Sequence, residues 1–410
     1  MLKAYRYRLY PNKEQLEKLK KHFDGARHVY NWALEQKKDY YDKHGKTLFR
    51  KDLQEKLVVS KKNDKKWLNE VNSQSLLSSL MNLDKAFSSF FRKKTGFPRF
   101  KSKKNPKQSF QCPQHVTIDQ KQGRLSIPKI KGIKIKVHRP FIGKIKTCTI
   151  TKTPKNHYYI SVLVEDDHPL PSPSSIQKEK SIGVDLGLSS FVITDKGTKY
   201  ENKKFLEKTL KRLKKRQRQL SRCKKGSANR NKKRVVLCKV HDKVAKQREW
   251  YHHHISNALI HDNQVNTIAF EDLHVKGMIK NRKLARHIAD VGWSSFVSIV
   301  RYKAAWIGKN VIFCSRFDPS SKTCHNCGDI NKNLKLSDRK WTCVSCDHHH
   351  DRDINAAQNI KKFAIADAVG QTVCVKQSPC GDRFSKPATA KGRASRSMGR
   401  KKPPLEQLAV

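Results

Sequence analysis

The spacing of apolar residues predicts strands and helices in a definite order in the first half of the chain. The opening stretch "LKAYRYRLYP" alternates basic with apolar or aromatic residues, a period-two pattern that predicts a strand at the edge of a sheet, stopping at Pro11. Residues 12 to about 92 keep helical spacing, as Leu16, Leu19 and Phe23 illustrate. From there to about residue 165 the chain predicts short strands separated by turn residues, and hence a small barrel or sandwich.

The second half alternates strands and helices after a linker rich in proline and serine, "DDHPLPSPSSIQKEK". "SIGVDLGLSSFVITDKGTKYE" predicts three strands joined by tight turns, and the basic segment 203–260 predicts a helical hairpin that is broken at "KGSANRNK". "VNTIAFED" and "VIFCSRF" predict strands, and "ARHIADVGWSSFVSIVRYKAAWIGKN" between them predicts one amphipathic helix. Another helix, "DINAAQNIKKFAIADAVG", follows a cysteine-rich region, and the last forty residues have the composition of a disordered basic tail.

The net charge of the chain indicates which class of molecule it binds. Lys and Arg number 89 against 35 Asp and Glu among 410 residues, which gives a formal net charge of +54. Positive side chains in this excess repel one another in a compact fold unless a polyanion neutralises them. Nucleic acid is therefore the expected partner. The hydrophobic fraction of 36% is enough for real cores, and the length predicts two or three domains. We find no apolar run of membrane-spanning length and no secretory signal core, so we expect a reducing, cytoplasmic environment in which the eleven cysteines are thiols or metal ligands.

Four cysteines have the spacing of a zinc ribbon. Cys324 and Cys327 form one C-x2-C pair, Cys343 and Cys346 form a second, and 15 residues separate the two pairs. Two such knuckles complete a tetrahedral four-sulfur site without an open position, so the zinc is expected to be structural. Two redox pairs or unrelated core thiols are the alternatives. The histidines at 348–350 could replace a cysteine, but the simpler interpretation is a solvated, strand-like exit from the second knuckle.

Three separated acids stand in similar contexts. Asp185 ends the apolar strand "SIGVD", Glu271 ends "TIAFE", and Asp353 begins the helix after the cysteine region. Acids at the carboxyl ends of strands in an α/β sheet lie where active sites form, and converging carboxylates repel one another unless metal ions join them. Two Mg²⁺ ions held by three carboxylates would suit phosphodiester cleavage. Each acid taken alone is more often a cap or turn residue, Asp351 is an alternative to Asp353, and Asp272 would face away from Glu271 on a strand.

The order and surroundings of these acids narrow the class of enzyme. Their domain opens with consecutive strands and tight turns, as a ribonuclease H fold does. The chain order Asp, Glu, Asp suits a RuvC-type nuclease better than a transposase of the Asp-Asp-Glu type, in which the glutamate comes last.

Several motifs together resemble one family. "IGVDLGLSSF", "IAFEDLHVKGM", "RFDPSSKTCHNCG" and "HDRDINAAQNI", with "AYRYRLYPNKEQ" and "GFPRFKSKK" near the N-terminus, are similar to the TnpB transposon-encoded RNA-guided nucleases, which are relatives of the type V CRISPR effectors. The resemblance covers roughly residues 3–365. It implies an α+β multidomain fold. The first part is a wedge-type β-barrel (1–11 and 95–170) with an inserted helical recognition lobe (12–94), followed by a linker (171–180). The second part is a ribonuclease H-like RuvC α/β domain (181–323 and 348–370) with an inserted zinc ribbon that binds target nucleic acid (324–347), and the disordered basic tail (371–410) ends the chain.

The same resemblance implies a function. It predicts a Mg²⁺-dependent DNA endonuclease that carries a transposon-derived guide RNA, one chain per guide, in the prokaryotic cytoplasm and at the nucleoid when bound to DNA. Such an enzyme cleaves double-stranded target DNA beside a short transposon-adjacent motif, and base pairing with the guide supplies the sequence specificity. The alternative is a guided DNA-binding repressor or transposition regulator without cleavage. A transposase that joins strands itself would need a tyrosine and a His-x-His motif, which are not evident apart from "HHH" at 252–254.

The resemblance also assigns residues. The catalytic and magnesium-binding roles fall on Asp185, Glu271 and Asp353, the last because the family's final motif ends in Asp-x-Asn and the chain has Asp353-Ile354-Asn355 there. The intact triad argues against the nuclease-dead relatives. The chain departs from the family at Asp347, where a glycine usually follows the last zinc cysteine, and this puts the geometry of the second knuckle in question.

Predicted nucleic-acid contacts lie in three segments. The Lys- and Arg-rich helices between the first two catalytic motifs would neutralise the phosphates of a heteroduplex and a displaced strand, although a solvated helix face is the alternative. "GFPRFK" is expected to form an exposed turn with aromatic side chains for unpaired bases, and a polar helix face precedes it. The predicted contacts are Gln74, Asn82, Phe97, Arg99, Phe100, Lys101, Lys211, Arg212, Lys214 and Lys215.

Overall fold

The opening strand of the chain lies inside a large antiparallel sheet. The computed structural model describes residues 1–105, 107–335 and 337–370, and the predicted tail at 371–410 lies outside this part of the chain. Within it, seven strands pair in the order β2-β6-β7-β1-β5-β4-β3. They are β1 (Leu2–Tyr10), β2 (Gln108–Cys112), β3 (Thr117–Asp119), β4 (Arg124–Ile127), β5 (Ile130–Lys136), β6 (Lys144–Lys152) and β7 (Tyr158–Glu165).

The prediction that the opening residues form an edge strand is wrong. β1 pairs with β7 on one side and with β5 on the other. Tyr5, Tyr7 and Leu9 of this strand point into the core. The arginines between them point away, and Arg6 stacks over the Tyr159 ring at 4.4 Å. A period-two pattern reports which face of a strand is buried, and it carries no information on whether the strand's backbone edges are paired.

The sheet curves around one apolar core that the first helix covers. This helix, α1 (Lys13–His44), contributes Leu19, Phe23 and Ala26 to the core. It begins at a capping box in which Asn12 and Gln15 exchange side-chain and backbone hydrogen bonds. In the described residues the end strands β2 and β3 each keep one unpaired edge, so the sheet is a half-barrel and its closure into a full barrel stays a prediction.

The predicted helical segment after β1 is confirmed. It contains α1, then α2 (Arg50–Lys62), a 3-10 helix (Lys66–Glu70) and α3 (Ser73–Phe91). These helices bury a core of their own, which includes Val29, Leu34, Leu53, Leu76, Leu80 and Leu83. The helices are held together by this apolar face, while their Lys-rich faces stay in solvent.

A second sheet of five described strands follows the linker. It consists of β8 (Ser181–Asp185), β9 (Ser190–Thr194), β10 (Lys199–Glu201), β11 (Thr267–Glu271) and β12 (Asn310–Cys314) in the order β10-β9-β8-β11-β12. β8, β9 and β10 are antiparallel neighbours, whereas β8, β11 and β12 run parallel. The carboxyl ends of β8, β11 and β12 therefore meet at one edge of this sheet.

Helices and a small ribbon surround the second sheet. The helices are α4 (Phe205–Ser221), α5 (Ala228–Ile260), α6 (Val275–Met278), α7 (Ala285–Val291), α8 (Trp293–Trp306) and α9 (Arg352–Gly370), and the ribbon strands are β13 (Lys340–Thr342) and β14 (His349–Asp351). The predicted hairpin is confirmed as α4 and α5. Residues 1–368 form one compact unit. None of the helices in the described residues combines the length and the apolar character that a bilayer crossing requires.

The predicted single helix over 285–310 is wrong, because the segment divides into α7 and α8 at Gly292. This residue has φ +69°, in the left-handed region that glycine adopts without strain. A Cβ atom there would also lie 3.3 Å from the His252 ring and 3.3 Å from the Arg248 side chain. The His252 ring, buried against Phe191, bonds the backbone oxygen of Val291 at 2.9 Å and so holds the end of α7.

Candidate active site and zinc ribbon

Two of the three predicted acids lie side by side at the edge of the second sheet. Val184 of β8 pairs with Phe270 of β11, so the next residues, Asp185 and Glu271, end the two parallel strands at the same level. The four residues before each acid are buried, whereas the acids themselves are partly exposed. The apolar run therefore forms the strand, and its carboxyl end delivers the carboxylate to the surface.

The third acid reaches the same edge on a helix. Asp353 lies in the first turn of α9, and one turn later the backbone of Ala357 approaches β8 so closely that a Cβ atom at Gly183 would lie 1.9 Å from the Ala357 carbonyl oxygen. Glycine is therefore required in the strand. Because residues four apart share a helix face, this contact brings Asp353 near the end of β8, where its charge and that of Asp185 repel each other.

Burial and nearby negative charges favour the protonated forms of Asp185 and Glu271. Burial raises the pKa of Asp185 to about 7, and the charges of Asp353 and Glu271 add to the effect. Burial also raises the pKa of Glu271, with further contributions from Asp272 and Asp318. Bound cations reverse this preference, since they stabilise the ionised carboxylates.

The carboxylates are spaced more widely than the cysteines of the ribbon. Among the described residues, only the four cysteines have ligand atoms that all lie within 4.8 Å of one another. The two ions of a two-metal site stand about 3.5–4 Å apart, so carboxylates that share them need a wider spacing than ligands of a single ion. Carboxylate oxygens are the ligands that Mg²⁺ prefers, and the donor set therefore fits magnesium.

A fourth acid, which the sequence analysis did not single out, stands beside Glu271. Asp318 follows β12, the next parallel strand, and its charge contributes to the raised pKa of Glu271. Its Oδ2 atom accepts a hydrogen bond from the backbone N–H of Ser315 at 3.0 Å. Asp272, in contrast, forms an ion pair with Arg316. The rule that located Asp185 and Glu271 could also have found Asp318, but this acid stands four residues beyond the end of its strand.

The carboxylates of Asp351 and Asp353 make different contacts in the structure. Asp351 accepts hydrogen bonds from the backbone N–H groups of Asp353 at 3.1 Å and Ile354 at 3.2 Å, and it pairs with Lys199 at 2.6 Å. Burial opposes ionisation of Asp351, but the Lys199 ammonium and the two N–H donors outweigh it and lower its pKa. Asp351 is thus the cap of α9. The Asp353 carboxylate has a longer contact, 3.4 Å to Arg339, and its charge contributes to the raised pKa of Asp185.

The four predicted zinc ligands come together. The Sγ atoms of Cys324 and Cys346 are 3.6 Å apart, and those of Cys327 and Cys343 are 3.5 Å apart. Sulfurs bound at about 2.3 Å to one tetrahedral zinc stand about 3.8 Å apart, so the arrangement fits the ion with a small adjustment. Nothing in this set leaves a position open for substrate, which agrees with a structural role.

The substitution of aspartate for glycine in the second knuckle leaves the turn intact. Asp347 has φ +54°, and its backbone N–H donates to the Cys343 carbonyl oxygen at 3.0 Å. In the first knuckle, Gly328 has φ +86° and donates to the Cys324 carbonyl oxygen at 2.9 Å. The two knuckles therefore have the same turn, since aspartate is one of the few residues that tolerate the left-handed region.

The interpretation of the three histidines as a solvated exit is wrong for His350, although the strand-like path is confirmed. Alternation along β14 turns His349 to solvent and His350 inward, where it is 5% exposed and packs on Trp341. Its Nε2 atom lies 3.1 Å from the Cys324 Sγ atom. This is shorter than the about 3.6 Å between nitrogen and sulfur ligands of one tetrahedral zinc, and it fits a hydrogen bond to the thiolate.

Part of the predicted nucleic-acid surface lines one groove. Asn82, Phe100 and Lys101 lie along a groove of about 550 Å³ between α1, α3 and β2. Lys101 is exposed, as predicted; its ammonium lies 3.8 Å from the centre of the Tyr30 ring, and partial burial of this group lowers its pKa. Gln74 lies in the first turn of α3, away from the residues that line the groove.

The other predicted contacts are exposed side chains. Phe97, Arg99 and Phe100 are exposed on the turn, and Phe97 also packs edge-on against Phe87 and Phe90. On α4, the exposed cations are Lys211, Arg212, Lys214 and Lys215.

The N-terminus of α4 is held by the buried residue Asp290. The Asp290 carboxylate accepts a hydrogen bond from the backbone N–H of Leu206 at 2.9 Å and one from Arg248 at 2.7 Å. The leucine stripe of α4 is partly buried on the side opposite the cations. The hairpin therefore presents its charges to solvent from a fixed starting point.

Comparisons with known proteins agree with this architecture. A family model described as "Probable transposase" matches residues 159–282, a "Helix-turn-helix domain" model matches 1–46, and a "Cas12f1-like, TNB domain" model matches 293–360. A Streptomyces pristinaespiralis protein named "Putative RNA-guided DNA endonuclease" is 34% identical over 98% of this chain and 96% of its own length. The Escherichia coli protein "Putative RNA-guided DNA endonuclease InsQ" is 29% identical over 88% of this chain and 91% of its own length.

The fold has a counterpart among solved structures. Cas12f1, solved by cryo-electron microscopy in complex with sgRNA and target DNA, matches with a TM-score of 0.54 and 14% sequence identity. The match covers 88% of this chain and 98% of that one. At this identity the likeness shows the fold alone, an α+β arrangement with a half-barrel sheet.

Proposed function

This chain belongs to the TnpB family, and from that premise we propose that it is an RNA-guided DNA endonuclease which cleaves target DNA beside a short transposon-adjacent motif. Its partners are a transposon-derived guide RNA, one per chain, and double-stranded DNA in the prokaryotic cytoplasm. The half-barrel serves as the wedge domain, α1 to α3 as the recognition lobe, and the second sheet as a RuvC nuclease domain interrupted by the zinc ribbon.

The observation that carries this proposal is the convergence of three acids from distant parts of the chain. Asp185, Glu271 and Asp353 come together at one edge of the second sheet, and the charges of the other two raise the pKa of Asp185. Carboxylates without a cation would destabilise each other in this arrangement, so a structural role alone does not account for it.

Different residues of the chain would hold the metal ions and position the helix that carries Asp353. Asp185, Glu271 and Asp353 would hold two Mg²⁺ ions, which when bound supply an activated water and stabilise the leaving 3′ oxygen. Asp351 keeps the first turn of α9 in place, and Gly183 lets that helix approach β8. Four thiolates, from Cys324, Cys327, Cys343 and Cys346, would hold a structural zinc.

Cationic surfaces around the site would bind the nucleic acids. Lys211, Arg212, Lys214 and Lys215 project from α4, in the chain between the first two acids, where they can neutralise backbone phosphates. The groove lined by Asn82, Phe100 and Lys101 offers amide, aromatic and cationic groups together, a combination that suits a nucleotide. Phe97 and Arg99, on the exposed turn that leads to Phe100, extend this surface, and Gln74 is a separate proposed contact in the first turn of α3.

Plasmid cleavage tests the proposal directly. RNA that co-purifies with the protein is sequenced to define the guide, and the complex is incubated with Mg²⁺ and a supercoiled plasmid that carries the matched target beside candidate flanking motifs. We expect linear product from the matched plasmid and none from a plasmid with a scrambled target or in the presence of EDTA. Guided binding of the matched plasmid without any cut would establish the repressor alternative instead.

A further inference from the structure

Two buried asparagines attach α9 to the first zinc knuckle. The Asn355 Oδ1 atom accepts a hydrogen bond from the backbone N–H of His325 at 2.9 Å, and its Nδ2 donates to the Thr323 carbonyl oxygen at 2.8 Å. The Asn359 Nδ2 donates to the carbonyl oxygens of Thr323 at 2.6 Å and Ser320 at 2.8 Å. Both side chains are about 1% exposed, so water does not compete for these bonds.

These bonds surround one zinc ligand. Thr323 and His325 are the chain neighbours of Cys324, so Asn355 holds the backbone on both sides of that cysteine. On the other side of Asp353, the His350 Nε2 atom lies 3.1 Å from the Cys324 Sγ atom. Asp353 thus lies between two attachments to the first knuckle: His350, three residues before it, contacts Cys324, and Asn355, two residues after it, bonds the chain neighbours of Cys324.

We propose that Asn355 and Asn359 are positioning residues, which fix the Asp353 carboxylate by clamping α9 to the first knuckle, so that zinc in the ribbon sets the affinity of the carboxylate site for its divalent ions. The inference rests on the proposed function, because it takes Asp353 as a ligand of those ions. The packing of Ala357 on Gly183 holds the middle of α9 independently. Loss of the clamp therefore loosens the first turn, which carries Asp353, without detaching the helix, because the Asp351 cap and its pair with Lys199 remain.

A purely structural role for the two asparagines predicts a different result. In that case their substitution lowers the unfolding temperature and leaves the ion affinity of the folded protein unchanged. The clamp predicts weaker ion binding in protein that is still folded and still contains zinc. The affinity for a divalent ion, measured apart from cleavage, separates these two roles.

The test is a Mn²⁺ titration of the full-length protein followed by electron paramagnetic resonance. Four thiolates select zinc over Mn²⁺, so the added ion reports on the carboxylates, and Asp353→Asn provides the blank. We expect Asn355→Leu to weaken the Asp353-dependent Mn²⁺ binding by about tenfold, as loss of a residue that orients a ligand does, with one zinc per chain retained. Removal of zinc from the wild-type protein should weaken binding similarly. Gln358→Ala, the neighbouring change on α9, should bind Mn²⁺ as the wild type does.

Two results would overturn the clamp. One is wild-type Mn²⁺ affinity in folded, zinc-loaded Asn355→Leu, and the other is unchanged Mn²⁺ affinity after zinc removal. If Asn355→Leu does not fold, Asn359→Leu, which removes the bonds to Ser320 and Thr323 but keeps those of Asn355, carries the same comparison. Plasmid cleavage by the wild-type complex tests the proposed function separately, so a protein that binds Mn²⁺ through Asp353 but cuts nothing would refute the nuclease and leave the clamp standing.

Discussion

The carbonyl oxygen of Ala357 in α9 lies directly against Gly183 of β8. Any other residue at position 183 would place its Cβ atom only 1.9 Å from that oxygen. The helix that carries Asp353 is therefore seated directly on the strand that carries Asp185. Substitution Gly183→Ala should force α9 away from β8 and lower the free energy of unfolding by about 1–3 kcal/mol, the usual range for overpacking. Urea unfolding measures this loss. Gly96→Ala is the matched control, because nothing lies within 4 Å of a Cβ atom there, and equal stability of the two variants would contradict the close approach.

Removal of Asp185 should separate cleavage from RNA binding. Asp185→Ala is expected to slow plasmid cleavage by more than about 100-fold, since a lost transition-state interaction of about 3 kcal/mol is sufficient for that factor. Guide RNA binding, measured by filter retention, should stay at the wild-type level. Asp272→Ala removes the same charge from the neighbourhood of Glu271, but from a residue already paired with Arg316, and should retain most of the activity. Loss of RNA binding in Asp185→Ala would indicate a structural role for this acid.

Substitutions of the two aspartates at the start of α9 should have different effects. Asp353→Asn is expected to abolish cleavage with little change in stability. Asp351→Asn weakens the cap and the Lys199 pair, and should lower the unfolding free energy by about 1 kcal/mol while the protein still cuts. Parallel measurement of plasmid cleavage and thermal unfolding distinguishes the variants. The reverse outcome, with Asp351→Asn inactive and Asp353→Asn active, would transfer the metal-binding role to Asp351.

The ribbon should contain one zinc per chain, with His350 as a partner of a ligand. Elemental analysis of purified protein checks the stoichiometry, and Cys327→Ser should lower it. His350→Phe keeps the packing on Trp341 but loses the contact with Cys324, so it should retain zinc and release it to a competing chelator about 10–100-fold faster. A zinc-free His350→Phe protein would instead make His350 a ligand.

Stability should fall in mildly acidic solution because of a histidine that is buried in its neutral form. Burial lowers the pKa of His252 from 6.5 to about 4, against the opposing effect of its bond to the Val291 backbone oxygen. Between these pH values the unfolded chain binds a proton that the folded protein does not, so the unfolding free energy rises with pH across this window, by about 2–3 kcal/mol in total for this group. Urea unfolding at pH 5 and pH 7 should show a smaller difference for His252→Gln than for the wild type. An identical difference in the two proteins would assign the pH dependence to other groups.

Several features of the site could be predicted from local pattern because they depend on near neighbours. The C-x2-C pairs form knuckles by their own turn geometry, and an apolar run that ends in an acid identifies Asp185 and Glu271 without knowledge of the sheet. Asp318 was not identified because its distance from β12 conceals the relationship in the sequence. The membership of the chain in the TnpB family, suggested by motifs spread over most of its length, is confirmed by a relative that matches 98% of it.

By itself, the sequence determined the order of strands and helices, the basic surface and the residue types available for two metal sites, since these follow from short-range periodicity and composition. Only the tertiary structure decided that β1 is central, that α7 and α8 separate at Gly292, and that His350 turns inward to Cys324. It also separated the cap Asp351 from Asp353 and attached α9 to the zinc knuckle through Asn355 and Asn359. The physical reason is the same in each case: the pairing of backbone edges and the close approach of segments remote in the chain are set by long-range packing, which no local pattern records.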